Sequence, residues 1–178
     1  MAEIFIERQF TPPLSRADVI AMSHDSKGRL GRYRVFWQES FLALDGHQML
    51  CRFHAHDTES ARRAFQQSGS DSGSYWSGSV HVAPTPALPH PTVVVERRFA
   101  QPVTLASIQA IEDAGSWCLQ SHRVTFVRTF FALDRTRMIC LYHAPDAEAV
   151  RHAQRQAGVP LERVWACQRI APGDTCAD

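Results

Sequence analysis

The chain has 178 residues, of which 44% are apolar and 21% charged, and its formal net charge is +1. That balance is ordinary for a globular protein. It excludes the strong field that steers nucleic acid or acidic lipid, and no apolar run is long enough to span a bilayer as a helix. The five cysteines are odd in number and lack paired spacing, so reduced thiols are expected. The opening MAEIFIERQF carries no signal-peptide pattern and enters a strand at once, so a cytoplasmic location is expected.

Ile4–Phe10 alternates apolar and polar residues with period two, the pattern of a strand, and Thr11-Pro12-Pro13 breaks it. Ser15 followed by Asp18 is a capping signature. It predicts a helix over 16–30 that buries Val19, Met22 and Leu30 and ends at Gly31. Tyr33–Ala43 reads as a second strand, with Val35, Trp37 and Phe41 on one face. An Asp45-Gly46 turn returns the chain as Gln48–Ala55, and Asp57 caps a second helix to about Ser68. The Ser/Gly-rich stretch 68–79 reads as a loop, and a fourth strand is expected near Tyr75–Val82. Ala83–Pro91 has alternate prolines and reads as an extended linker.

The order then repeats: strand Val93–Phe99, a helix capped by Thr104 with Ile108, Ile111, Gly115 and Leu119 on its buried stripe, a hairpin 122–144, helix 146–157 and strand 163–170. The repetition extends to the letters. At an offset of 89 residues, Met49–Gly69 aligns with Met138–Gly158, Ile4–Phe10 with Val93–Phe99, Phe41–Asp45 with Phe130–Asp134, and Trp76 with Trp165. A repeat of this length is one structural unit copied. The expected organisation is therefore two β-α-β-β-α-β, ferredoxin-like units over 1–82 and 92–171, joined by a linker 83–91 and followed by a tail 172–178. Each small unit needs its sheet covered. The expected fold class is α+β, two tandem ferredoxin-like domains forming a pseudo-dimeric α+β barrel, as a monomer or a higher homo-oligomer.

The run Cys140–Trp165, CLYHAPDAEAVRHAQRQAGVPLERVW, resembles a bacterial family of small domains of unknown function that includes ferredoxin-like nickel-binding proteins. Glu96-Arg97, Cys140, Tyr142, Ala144-Pro145, His152-Ala153, Gly158, Pro160 and Val164 fit its pattern. The first half departs from it: His56 stands for the proline, Arg63 for the helix histidine, and Gly69-Ser-Asp-Ser-Gly73 for the Gly-x-Pro loop. The resemblance implies a ferredoxin-like fold and nickel, or another divalent transition metal, as the ion.

Cys51-x-x-His54 and Cys140-x-x-His143 have metal-like spacing, but residues three apart in a strand face opposite ways. Both cysteines therefore read as small core residues. His54, His56 and Asp57 form a better local set at a strand end, with nitrogen ligands suited to nickel, copper or zinc. His143 and His152 are further metal candidates, although Glu148 one turn before His152 also fits an ordinary helix pair. By alternation Glu7 shares a face with His54, and Glu96 with His143, with Gln38, Ser40 and Thr129 expected on the same side. A carboxylate beside an imidazole suits acid–base work, so Glu7, Glu96 and His143 are the catalytic candidates, set against a structural ion pair of Glu7 with Arg52 or Arg8. Trp117 lies off the buried stripe of its helix, where an exposed indole fits an oligomer contact.

Two functions follow. One is a metal-binding or small-ligand-binding protein without a catalytic motif. The other is a cofactor-independent enzyme of the dimeric α+β barrel type, a monooxygenase or isomerase, in which Glu7, Glu96, His54, His143 and Trp37 meet a small hydrophobic substrate between two sheets.

Overall fold

The computed structural model describes residues 1–69, 73–84 and 89–175. Residues 85–88 of the expected linker, 70–72 of the Ser/Gly-rich loop and 176–178 of the expected tail lie outside the described residues. The elements are β1 (Ala2–Gln9), α1 (Arg16–Arg32), β2 (Phe36–Ala43), β3 (Gln48–Ala55), α2 (Thr58–Gln67), β4 (Ser74–Val82), β5 (Val93–Arg98), α3 (Leu105–Ala114), α4 (Ser116–Ser121), β6 (Thr125–Ala132), β7 (Arg137–His143), α5 (Ala147–Gln156) and β8 (Arg163–Ile170). The chain divides into two compact units, Met1–Gly78 with Gln168–Asp178, and Ser79–Cys167. It is a mixed α+β protein, and no described helix is long and apolar enough to cross a membrane.

In the first unit β1 lies between β3 and β4, and β3 also pairs with β2, all antiparallel. The helices cover one face, where Ile4, Ile6, Val19, Ile20, Leu30, Met49, Cys51, Phe53 and Phe65 make the core. The Ser15 hydroxyl accepts from the Asp18 amide while the Asp18 carboxylate accepts from the Ser15 amide, the reciprocal cap that starts α1. Asp57 caps α2 by accepting from the Ser60 amide. Gly46 turns the hairpin with φ 73. A Cβ there would stand 2.3 Å from the Leu14 carbonyl oxygen, so the close approach as well as the backbone calls for glycine.

The second unit repeats the arrangement with β5 between β7 and β8 and with β6 beside β7. Pairings correspond at the sequence offset: Ile4 faces Phe53 as Val93 faces Tyr142. Trp76 donates to Glu7 at 2.9 Å as Trp165 donates to Glu96 at 2.7 Å. Left-handed Arg34 and Arg123, with φ 57 and 56, follow the equivalent helix ends.

Two sequence expectations change. The helix begun by Thr104 breaks at Gly115 into α3 and α4, and at that point the chain passes so close to Ala157 that a Cβ on Gly115 would stand 2.3 Å from that of Ala157. The break rotates the buried stripe: Ile108 and Cys118 are buried, whereas Ile111 is 36% exposed and Trp117 63%. The second change is in β2 and β6. A bulge between Trp37 and Glu39, matched by one between Phe126 and Arg128, inserts a residue and switches the faces that follow. Trp37 and Ser40 therefore both turn toward the helices, and Phe41, opposite Leu50, does not share the Trp37 face. Thr129 moves likewise and donates to the Cys140 sulfur at 3.2 Å.

Candidate functional site

The face of the first sheet turned away from the helices carries a charged cluster. Arg52 on β3 donates through Nε and one terminal nitrogen to both oxygens of Glu3, each at 2.8 Å, a two-point geometry that fits the guanidinium fork. Its other terminal nitrogen reaches Glu39 at 3.1 Å, and Arg169 reaches the second Glu39 oxygen at 2.6 Å. Glu39 is 2% exposed. His54 Nε2 lies 2.9 Å from Glu3. Burial pushes the Glu3 carboxyl up, but the bonds from Arg52 and His54 outweigh it and hold the pKa below the ordinary carboxylate value. The carboxylate beside His54 is thus Glu3 and not Glu7. The register pairs Glu7 with Leu50 and Glu3 with His54, which separates Glu7 from His54 by about 13 Å along the strand. Alternation gives the face of a residue but not its position along that face.

The other candidates are dispersed. His56 is exposed and contacts Asp57 at 2.8 Å. The Ser60 amide and His56 hold the Asp57 carboxyl well below its usual range. His143 Nδ1 lies 2.9 Å from the His90 carbonyl oxygen. The register places Glu96 opposite Ile139, again well away from His143 along the strand. His152 Nε2 sits 3.3 Å from Glu148, and its ring stacks on His122 with centroids 6.1 Å apart. Among the described residues no three His, Cys, Asp or Glu side chains are grouped to hold one ion. The candidate donors form pairs, so the residues present do not make a multi-ligand metal centre.

The cavities lie on the other face, under α1. One chamber of about 140 Å³ is bounded by Arg8, Met22, Asp25, Arg29, Trp37, Ser40, Cys51 and Phe65, among others. A second chamber of about 290 Å³ is bounded by Ile20, Leu30, Val35, Phe36 and Ala171–Asp174, among others. Ser23, Ser26 and Trp37 line both. The bulge delivers Trp37 here, and the indole is fixed: its Nε1 donates to Ser40 Oγ at 2.9 Å, and that hydroxyl donates to Cys51 Sγ at 3.1 Å. Burial pushes the Cys51 thiol up, so it stays a neutral wall. Arg8 is 9% exposed as a residue, and its guanidinium lies 5.2 and 6.0 Å from the ring centres of Phe10 and Phe65, within reach of both rings.

The equivalent place in the second unit is filled by polar side chains. Arg97 is fully buried and donates to Gln154 Oε1 at 2.9 Å, to Glu112 and the Tyr142 hydroxyl at 3.2 Å, and to the Pro160 carbonyl. The Tyr142 hydroxyl donates to Glu112 at 2.9 Å and accepts from Gln154 Nε2 at 3.1 Å. Burial pushes the Tyr142 phenol well up, so it remains a donor. A cavity of about 160 Å³ remains beside this network, with Glu112 in its wall. None of Arg97, Glu112, Tyr142 and Gln154 was a sequence candidate for a site. The match of Arg97 to Arg8 at the offset was visible, but helix and strand had to be docked before the acceptors could be seen.

Residues 94–166 match the model of a family described as SCO4226-like, nickel responsive protein. Among solved structures the chain is similar to SCO4226 from Streptomyces coelicolor A3(2), at 19% identity over 40% of this chain and 89% of that one, with a TM-score of 0.37. It is similar to an anthrone oxidase-like protein at 13% identity over 98% and 95% of the two chains, with a TM-score of 0.46. It is also similar to the candidate chlorite dismutase TA0507 at 10% identity over 97% and 96%, with a TM-score of 0.51. That last likeness is one of fold. No curated protein matches the chain.

Proposed function

We propose that the chain binds a small organic molecule in the two chambers under α1. The observation that carries this reading is the placement of Trp37, which lines both chambers and is locked by Ser40. A bulge, an aligned indole and an adjoining apolar space amount to a preformed ligand site. The chamber of about 140 Å³ has space on the scale of one aromatic ring, with the apolar walls Val19, Met22, Trp37 and Phe65 beside polar ones. The test is fluorescence titration with single-ring and fused-ring aromatic probes. Trp37 is one of four tryptophans, so Trp37→Phe isolates its signal. Saturable emission changes should appear in the wild type and vanish in that variant; no saturable change with any probe would sink the reading.

A second reading, a divalent metal such as nickel, is supported by the family match over 94–166. Within that span His152 beside Glu148 and His122 is the strongest place for it, with His143 and, in the first unit, His54, His56 and Asp57 as lesser donors. Among the described residues no three such donors gather at one point, so the expected affinity is low. Calorimetric titration with nickel should lose heat in His152→Ala, and equal heats would remove the site. The recurring registers, caps and Trp–Glu bonds at one offset also support tandem duplication as the origin of the two units.

A further inference from the structure

We propose that the second unit has a binding site of its own, in the cavity between α3 and the strands β6 and β7, and that it takes a small neutral molecule of the phenol or alcohol class, one hydroxyl donor on an apolar body. The site is separate from the first-unit chambers and does not depend on the reading given for them.

The two oxygens of Glu112 are used differently. Oε1 accepts from Arg97 Nη2 at 3.2 Å and from the Tyr142 hydroxyl at 2.9 Å. Oε2 accepts from no described residue, yet it is not among the buried side-chain atoms left without a partner. It is therefore open to water, and the space that Glu112 borders is the cavity of about 160 Å³. The other end of the carboxylate is fixed. Arg97 and Tyr142 are fully buried, and Arg97 is tied in turn to the Gln154 amide oxygen and the Pro160 carbonyl. A carboxylate pinned through one oxygen presents the second as a preorganised acceptor. At the 89-residue offset Glu112 corresponds to Ser23, whose hydroxyl donates to the Ile20 carbonyl at 2.7 Å. The carboxylate acceptor at this place is thus particular to the second unit.

Charge sets the class of donor. The Arg97 guanidinium already balances the Glu112 carboxylate, so the pair carries no net charge. A ligand cation would come close to the buried Arg97, and a ligand anion would face Oε2. A neutral hydroxyl donates a charge-assisted hydrogen bond and brings no new charge out of water. Leu105, Ile108, Phe126 and Met138 wall the same cavity and supply the apolar surface for a ring or chain. The volume is on the scale of one aromatic ring, and a mostly apolar wall with one placed polar group is the usual make-up of a small-molecule site.

The methionines report on the two units separately. Met138 lines this cavity, whereas Met22 and Met49 line the first-unit chamber of about 140 Å³. The experiment is a titration of the full chain, with isotope-labelled methionine methyl groups, against phenol, toluene and benzylammonium, read by methyl NMR. Phenol should shift the Met138 methyl saturably. It should bind about tenfold or more tighter than toluene, which has the same size without the donor, and tighter than benzylammonium. In Glu112→Gln, Arg97 and Tyr142 would hold the amide oxygen and leave the NH₂ toward the cavity, turning the acceptor into a donor. The advantage of phenol over toluene should then fall about tenfold. The wild-type comparison decides by itself if that variant does not fold. No saturable Met138 shift, toluene equal to phenol, benzylammonium tighter than phenol, or an advantage unchanged in a folded Glu112→Gln would each overturn the proposal. A response confined to Met22 and Met49 would also overturn it while leaving the first-unit site standing.

Discussion

Tyr142→Phe tests whether the polar network of the second unit stabilises the fold as an interlocked set. The hydroxyl removed makes three contacts: it donates to Glu112 at 2.9 Å and accepts from Arg97 and Gln154 at 3.2 and 3.1 Å. Their losses are unequal. Glu112, 12% exposed, keeps Arg97 and has access to water. Arg97 keeps Glu112, Gln154 and the Pro160 carbonyl. Gln154 is 1% exposed, and its amide nitrogen loses its bond to the hydroxyl with little access to solvent. An orphaned buried donor costs about 1–3 kcal/mol, and a lost bond to a charged group adds about 1 kcal/mol. The expected destabilisation is about 2–4 kcal/mol, measured by urea denaturation. The first unit indicates the compensating change, since Phe53 and Phe65 occupy the positions of Tyr142 and Gln154 beside Arg8. Tyr142→Phe/Gln154→Phe removes the orphan and gives the guanidinium a ring to lie on. The double variant should therefore be more stable than the sum of the two singles by about 1 kcal/mol or more. A single variant within 0.5 kcal/mol of wild type (about RT,), or strict additivity of the pair, would refute the account.

Burial pushes the Cys167 thiol up to about 12, and Cys51 and Cys140 are raised by the same cause. The folded state therefore holds these protons where the unfolded chain releases them near pH 8.5. Their contribution is complete below that pH and is lost as pH rises toward the folded values, by about 1.4 kcal/mol per pH unit for each thiol. Urea midpoints between about pH 9 and 10 should fall more steeply in wild type than in Cys167→Ala, and equal slopes would exclude the thiol as a source. Glu39→Gln should cost about 1–3 kcal/mol in chemical denaturation. The range lies below that for a fully buried ion pair because Arg52 and Arg169 are 18% and 27% exposed and Arg52 retains Glu3. An unchanged midpoint would show that the Glu39 charge does not hold this face together.

Element order and strand ends were legible because they depend on local chemistry. Ser15–Asp18 and Asp57 announce helix starts through groups within one turn, and the Asp45-Gly46 turn sets its hairpin. The helix-facing placement of Cys51 and Cys140 followed from strict alternation. What failed was non-local. The alternation that put Trp37 and Phe41 together, and Ser40 away from the helices, assumed a strand without a bulge. Bulges leave no composition signal in FWQESFLA or TFVRTFFA. The need for glycine at 115 depends on Ala157, which arrives from the end of α5. Glu3 was passed over for Glu7 because both occupy the same face of β1, and only the register distinguishes them. Arg97 was visible as part of a motif, yet its role depends on Glu112, Tyr142 and Gln154 arriving from three separate elements.

The bulge connects the two faces of the first sheet. It lies between Trp37 and Glu39, so a single backbone irregularity sends the indole under α1 and the carboxylate to the opposite face. On that face Glu39 is gripped by Arg52 of β3 and by Arg169. On the helix side Trp37 is tied to Ser40, and Ser40 to Cys51 of β3. The Glu39–Arg52 and Ser40–Cys51 contacts both join β2 to β3, and slippage by one residue would exchange the faces and break both. The second unit keeps the bulge and the Thr129–Cys140 tie, but Arg128 stands in the place of Glu39, Leu141 in that of Arg52 and Phe126 in that of Trp37. The Glu39–Arg52 clamp thus occurs in the unit whose bulge presents an indole to a cavity, and its two positions are occupied by Arg128 and Leu141 in the unit where Arg97 and its acceptors fill the corresponding interior. On this reasoning the ion cluster positions the binding wall through the strand pair and need not touch the ligand.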